Sequence, residues 1–293
     1  MIENTITLAD GRLLGYGLYG NPNGIPILDF HGIPGSRREA ALIASFIKRD
    51  DLCFIGFDRP GYGRSTPKHN YTIRDIVADV ALLMDHLALK KFIALGYSGG
   101  GPFALACAAY IPERLAAIGI VSGVGPSEIG SDGMHASNKK KFNLAQRMPA
   151  LSRLMLTVVF SKMKRHPEKM DSDLKKIWLQ MPEVDQKVMQ DRVFADGITE
   201  ISKDAIHQTV RGWVDEELLM AQPWQFNLAD IKANNMFLWH GELDRNVPVS
   251  MAKAVSERIR GCQAKFFPGE GHLSVIYTHG ADFISQLVEA SGF

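Results

Sequence analysis

The chain has 293 residues, 46% hydrophobic and 22% charged, with a formal net charge of +1. A chain of this length can bury a large core, and its composition is ordinary for a soluble globular protein. Near-neutral charge argues against nucleic acid as the main partner, and no apolar run approaches the roughly eighteen residues of a membrane span.

In chain order, residues 4–8 and 12–19 read as strands joined at Asp10-Gly11, a hairpin turn pair. Residues 26–30 form an apolar run ending in His31-Gly32. A helical pattern follows over 39–48, then a strand over 53–57 ending in Asp58-Arg59-Pro60-Gly61-Tyr62-Gly63. Thr72 is placed to cap a helix running to about residue 88, with apolar positions at Ile76, Val80, Leu83 and Leu87. The next strand, 92–97, runs into Ser98, a small-residue helix over 102–110 and a strand over 115–122.

From about residue 127 to 222 the alternation stops. This stretch is helical in pattern, shows no convincing strand, and holds eight of the twelve methionines together with Trp178 and Trp213. Alternation returns with a strand at 235–239, a helix at 250–260, a strand at 263–267 and a helix at 281–290. Strands alternating with helices predict an α/β fold with a mostly parallel central sheet flanked by helices. We expect one sheet domain from 1–126 and 223–293, interrupted by a helical cap or lid at 127–222. Pliable methionines such as Met134, Met148, Met155, Met163 and Met189 suit a substrate-facing lining, or they fill the cap's own core.

Gly96-Tyr97-Ser98-Gly99-Gly100 is the most informative segment. A serine between glycines at a strand-to-helix turn has two uses. It can cap the helix, or it can present a nucleophilic hydroxyl from a turn too tight for flanking side chains. The following helix start favours developing negative charge. This pattern resembles the nucleophile elbow of the α/β-hydrolase superfamily, whose chain order is serine, acid, histidine. The resemblance extends to His31-Gly32-Ile33-Pro34-Gly35 before the elbow and to Asp244 and His272 after it.

On that resemblance Ser98 is the nucleophile, His272 in Gly269-Glu270-Gly271-His272 the base, and Asp244 the acid, with Glu242 its nearest rival. The backbone N–H groups of Ile33 and Gly99 form the oxyanion hole. His31 anchors its loop, and His240 shapes a turn. The segment from Asp58 to Ser65 is also family-like, without a role beyond structure. Dehalogenases and epoxide hydrolases carry aspartate where Ser98 stands, and proline iminopeptidases typically carry tryptophan where Gly99 stands. The implied function is a serine hydrolase cleaving a small or medium carboxylic ester. An aminopeptidase, lactonase, C–C hydrolase, perhydrolase or non-catalytic ligand-binding receptor of the same fold stays open.

No paired histidines or Cys-x-x-Cys point to metal, and no dinucleotide fingerprint points to a nucleotide cofactor, so none is expected. Arg37-Arg38, Lys139 to Lys141 and Lys162 to Arg165 read as solvated faces. Cys53, Cys107 and Cys262 are odd in number and fall in or beside apolar segments, which predicts reduced core residues. With no signal-like region at its start, the chain is expected in the cytoplasm. The expected partner is a small ester or related acyl compound.

Overall fold

The computed structural model describes residues 2–232 and 234–293. The Asp10-Gly11 pair joins β1 (Ile2–Thr7) and β2 (Leu13–Gly20), which lie antiparallel with Ile6 opposite Leu14. Then follow β3 (Ile25–Phe30), α1 (Glu39–Ile47), β4 (Leu52–Phe57), α2 (Ile73–His86), β5 (Phe92–Tyr97), α3 (Gly101–Tyr110) and β6 (Leu115–Val121). The stretch lacking alternation folds as α4 (Ala136–Arg147), α5 (Pro149–Arg165), α6 (Met170–Trp178), α7 (Glu183–Val188), α8 (Arg192–Ala205) and α9 (Arg211–Met220). The chain closes with β7 (Met236–Gly241), α10 (Val249–Arg258), β8 (Gln263–Phe267) and α11 (Ser274–Ser291).

The eight strands form one sheet in the order β1-β2-β4-β3-β5-β6-β7-β8, parallel from β4 to β8. Strands β4 and β5 are buried along their whole length, as apolar runs covered on both faces must be. Helices α2, α3 and α10 pack on one face, while α1 and α11 pack on the other. Strand order reverses between β3 and β5, because the chain leaves β3 for β4 and then returns past β3 to β5. At such a switch point the carboxyl ends of neighbouring strands open a crevice. His31 follows β3 and Ser98 follows β5, whose ends are in register at Phe30 and Gly96.

Local chemistry fixes several boundaries. Thr72 caps α2 through a reciprocal box: its hydroxyl accepts from the Asp75 N–H at 3.2 Å, and the Asp75 carboxylate accepts from the Thr72 N–H at 2.7 Å. Helix α11 starts seven residues earlier than its sequence pattern predicts. Its first backbone donors are taken by Asp185, a distant residue of α7 that no local pattern reveals. Strand β7 likewise runs on to Gly241, so His240 is a buried strand residue.

Helices α4, α5, α6, α8 and α9 pack around an apolar centre of their own, where Phe160 stacks on Trp213 with ring centroids 3.6 Å apart, while α7 packs Val188 into the cluster shared with α1 and α11. Among the methionines read as pocket lining or cap core, Met148 and Met155 are neither, being exposed to solvent at 52% and 51%. The reading of Arg37 as a solvated residue is also corrected. It is buried and bonds to Asp58 at 3.0 Å, Asp204 of α8 at 2.7 Å and Glu3 at 3.0 Å. Three carboxylates balance a charge that burial alone would make costly. All three cysteines carry free thiols, Cys53 and Cys107 buried and Cys262 half-buried. Among the described residues no helix is long and apolar enough to cross a membrane.

Candidate active site

Ser98 sits on the turn between β5 and α3 with φ at +51°, a left-handed conformation unusual for a residue bearing a side chain. Packing around the turn holds it there. A Cβ on Gly96 would lie 2.9 Å from Ala104 Cβ and 2.9 Å from Gly101 Cα. A Cβ on Gly100 would overlap the carbonyl oxygen of Phe30, and one on Gly99 would overlap the Ile33 side chain. Gly96 and Gly100 are therefore steric requirements of the elbow, while a side chain at position 99 would require Ile33 to move. The Ser98 carbonyl accepts from the Val124 N–H at 3.0 Å, tying the turn to the chain after β6.

His272 and Asp244 converge on Ser98 from loops after β8 and β7. His272 Nε2 lies 3.0 Å from Ser98 Oγ, and His272 Nδ1 lies 2.6 Å from Asp244 Oδ2. With Nδ1–H donating to the carboxylate, the Nε2 lone pair faces the serine hydroxyl. The other Asp244 oxygen accepts from the Asn246 and Val247 N–H groups at 2.8 and 2.9 Å. Glu242, the rival acid, is directed instead toward Lys253 at 3.8 Å. His240 shapes the turn as expected: its Nε2 lies 2.8 Å from the Val247 carbonyl and 3.3 Å from Asp244 Oδ2.

The electrostatics follow from this packing. Burial alone would raise the Asp244 carboxyl, yet His272 and His240 hold it well below the usual carboxylate range. Burial would lower the His272 imidazole, but Asp244, with smaller contributions from Asp185 and Glu39, raises it above its ordinary value. The loop is pinned from the sheet side too. The His272 carbonyl accepts from Tyr97 OH at 3.2 Å and Ser122 Oγ at 3.3 Å.

The loop His31-Gly32-Ile33-Pro34 passes beside the elbow, with a Cβ on Gly32 falling 3.5 Å from Ser98 Cβ. The Ile33–Pro34 peptide is cis. Two charged residues without an expected role at this site anchor the loop. Arg59 donates to the carbonyls of His31 at 2.7 Å and Gly32 at 3.2 Å, and pairs with Glu216 of α9. Glu39, at the start of α1, accepts the Gly32 N–H at 3.1 Å on each oxygen. Burial pushes its carboxyl up to about 7 against the opposing pull of that N–H, Arg59 and His272. Arg59 lies within a family-like segment, but nothing in the sequence around Glu216 marks it as the partner of Arg59, and nothing around Glu39 marks it as the acceptor of the Gly32 N–H.

Ser98 and His272 open into a cavity of about 290 Å³, walled in part by α4, α6, α8 and α9. Met134, Met181, Met220, Trp178 and Trp213 are among its apolar lining residues. Of the methionines named from sequence, only Met134 is in this wall. The wall also has a polar patch, since Lys141 Nζ meets Glu217 at 2.5 Å and Trp213 Nε1 donates to the same carboxylate at 3.1 Å. Lys141 therefore departs from the solvated face expected of its basic run. A second, apolar cavity of about 100 Å³ lies between α1, α8 and α11, and shares Glu39, Tyr97, Ile198 and Leu273 with the first.

Comparison with known proteins gives a consistent result. Residues 25–277 match the family model described as alpha/beta hydrolase fold. The chain is 34% identical over 130 residues to a non-heme chloroperoxidase of Streptomyces lividans, covering 44% of this chain and 47% of that one. It is 37% identical over 108 residues to a proline iminopeptidase of Xylella fastidiosa, covering 36% of this chain and 34% of that one. These matches span less than half the length of either relative. Among solved structures, an alpha/beta hydrolase fold protein from Nakamurella multipartita aligns at TM-score 0.70 and 25% identity over 100% of both chains. An esterase from Exiguobacterium antarcticum aligns at TM-score 0.70 and 18% identity, also over 100% of both.

Proposed function

Because this chain belongs to the α/β-hydrolase family, we propose that it hydrolyses small or medium carboxylic esters through an acyl-enzyme on Ser98. The observation that carries this reading is the bridge made by His272, 3.0 Å from Ser98 Oγ and 2.6 Å from Asp244. In the first step His272 Nε2 takes the serine proton as Oγ attacks the ester carbonyl. The Ile33 and Gly99 N–H groups receive the oxyanion. The imidazolium, held by Asp244, then protonates the departing alcohol. Water repeats the sequence on the acyl-enzyme, with His272 again taking a proton, and releases the acid.

The helical block at 127–222 acts in this reading as the cap, with its apolar wall receiving the acyl chain. The family relatives include aminopeptidases as well as esterases. Gly99 favours the ester reading, because the Ile33 side chain occupies the space that a larger residue at position 99 would need.

The test is a panel of p-nitrophenyl esters, aminoacyl amides and lactones, run with wild type and Ser98→Ala. Ester turnover should dominate and fall by about 10⁴ to 10⁶ in the variant. Preferred turnover of aminoacyl amides would assign the chain to the aminopeptidase branch. Turnover unchanged in Ser98→Ala would remove the mechanism.

A further inference from the structure

Asp185 belongs to α7, inside the helical block, yet all its side-chain hydrogen bonds reach the histidine loop and the start of α11. Its Oδ2 accepts from the His272 N–H at 2.9 Å, and its Oδ1 from the Leu273 and Ser274 N–H groups, both at 2.9 Å. It is fully buried. The neighbouring glycine is shaped by it, because a Cβ on Gly271 would overlap the Asp185 carboxylate. Gly271 thus makes room for a side chain from another part of the chain. With the His272 carbonyl held by Tyr97 and Ser122, both backbone polar groups of the base are fixed, one from the sheet and one from α7.

From this geometry we propose that Asp185 is a positioning residue for His272, making the docking of α7 a condition for a competent base. The proposal rests on the triad reading above. A carboxylate that accepts three successive N–H groups at the start of α11 fixes where that helix begins, and hence where the preceding imidazole points. It also places negative charge beside the imidazole, adding to the field of Asp244 and Glu39. The polar groups facing the ring from its surroundings are Asp244 and, behind it, His240, with Glu39 from α1, Tyr97 and Ser98 from β5 and its turn, and Asp185 from α7.

The experiment uses the full chain and the variants Asp185→Ala, Asp185→Asn, Leu156→Ala and Ser98→Ala. Leu156 is buried in the centre of the helical block and lines neither cavity. It reports what a loss of stability in that block does by itself. Hydrolysis of a short p-nitrophenyl ester is followed against pH under conditions where every variant is folded by circular dichroism. Asp185→Ala should lose about 100-fold in kcat, the scale of a 1 Å misplacement, with KM changed less than about threefold. Asp185→Asn keeps two acceptor contacts and should fall between this variant and wild type. In Asp185→Asn the acid limb of the kcat/KM profile should move to lower pH, because a negative charge beside His272 is gone. Leu156→Ala should melt earlier but keep wild-type kcat and pH limb. Wild-type kcat and pH limb in both Asp185 variants would overturn the proposal while leaving the triad reading intact. Full activity in Ser98→Ala would overturn the triad reading and this proposal with it.

Discussion

Arg59 and Glu216 form an ion pair with no exposed surface on either side chain, joining the segment after β4 to helix α9. The same guanidinium donates to the carbonyls of His31 and Gly32, and Tyr71 OH donates to Glu216 at 3.2 Å. The loop proposed to stabilise the oxyanion is therefore held by a charge network spanning the sheet and the helical block. Replacing Arg59 with methionine leaves Glu216 buried and unpaired. We predict a loss of about 3–5 kcal/mol in urea unfolding. The double variant Arg59→Met/Glu216→Gln should lose less than the sum of the single variants, because the stranded charge is removed.

In the proposed mechanism the raised His272 pKa governs the pH dependence of turnover. Below that pKa, Nε2 is protonated and cannot take the serine proton. The kcat/KM should therefore fall on acidification, with a midpoint above the ordinary value of 6.5. Asp244→Asn removes both the field and the correct tautomer, and should lower kcat on the order of 10⁴. A midpoint at or below 6.5 in the wild-type profile contradicts this account of the base.

Glu39 makes the opposite kind of contribution, to stability. Its folded pKa of about 7 lies above the unfolded value of 4.5. The folded state therefore binds more protons between those values, and stability falls as pH rises through that window. Glu39→Gln should leave stability near wild type at pH 4.5 and raise it at pH 8, by at most about 3 kcal/mol. Thermal melts at the two pH values measure this; an equal difference at both excludes Glu39 as the titrating group.

The elbow glycines should differ in what they tolerate. Gly100→Ala sets a methyl against the backbone carbonyl of Phe30, which cannot move without distorting the sheet, and should fail to accumulate as folded protein. Gly99→Ala meets a side chain, Ile33, that can shift. That variant should fold but lose kcat through displacement of the Ile33 loop, by about 10- to 100-fold. Soluble yield and ester kinetics distinguish the two.

Ile198 lines both the 290 Å³ cavity at Ser98 and the apolar 100 Å³ cavity beside it. Truncating it removes part of the shared wall. Ile198→Ala should shift the p-nitrophenyl ester preference toward longer acyl chains. An unchanged chain-length profile would show that the smaller cavity takes no part in substrate binding.

The elements proposed to carry the chemistry were legible in sequence where their causes are local. The Thr72 cap, the Asp10-Gly11 hairpin and the glycine-bounded Ser98 turn depend on residues a few positions apart. So do the apolar runs of β3, β5 and β7; Ser98 after β5 and Asp244 after β7 are bridged by His272, which follows β8. What escaped was set by distant partners. The early start of α11 depends on Asp185, the buried state of Arg37 on Asp204, and the anchoring of Arg59 on Glu216. Each is an interaction between the helical block and the sheet, and no periodicity within either segment records it. The methionines show the same limit, because their number offered a lining or a core for the block but only packing decided that Met134 faces the cavity and Met155 faces water.

The most direct test of the central claim is covalent labelling of the folded protein with a fluorophosphonate, located by peptide mass spectrometry. The account predicts one adduct on Ser98, with labelling slowed strongly in His272→Ala and abolished in Ser98→Ala. Folded wild-type protein that stays unlabelled at Ser98, while cleaving or binding its ligand, would contradict it.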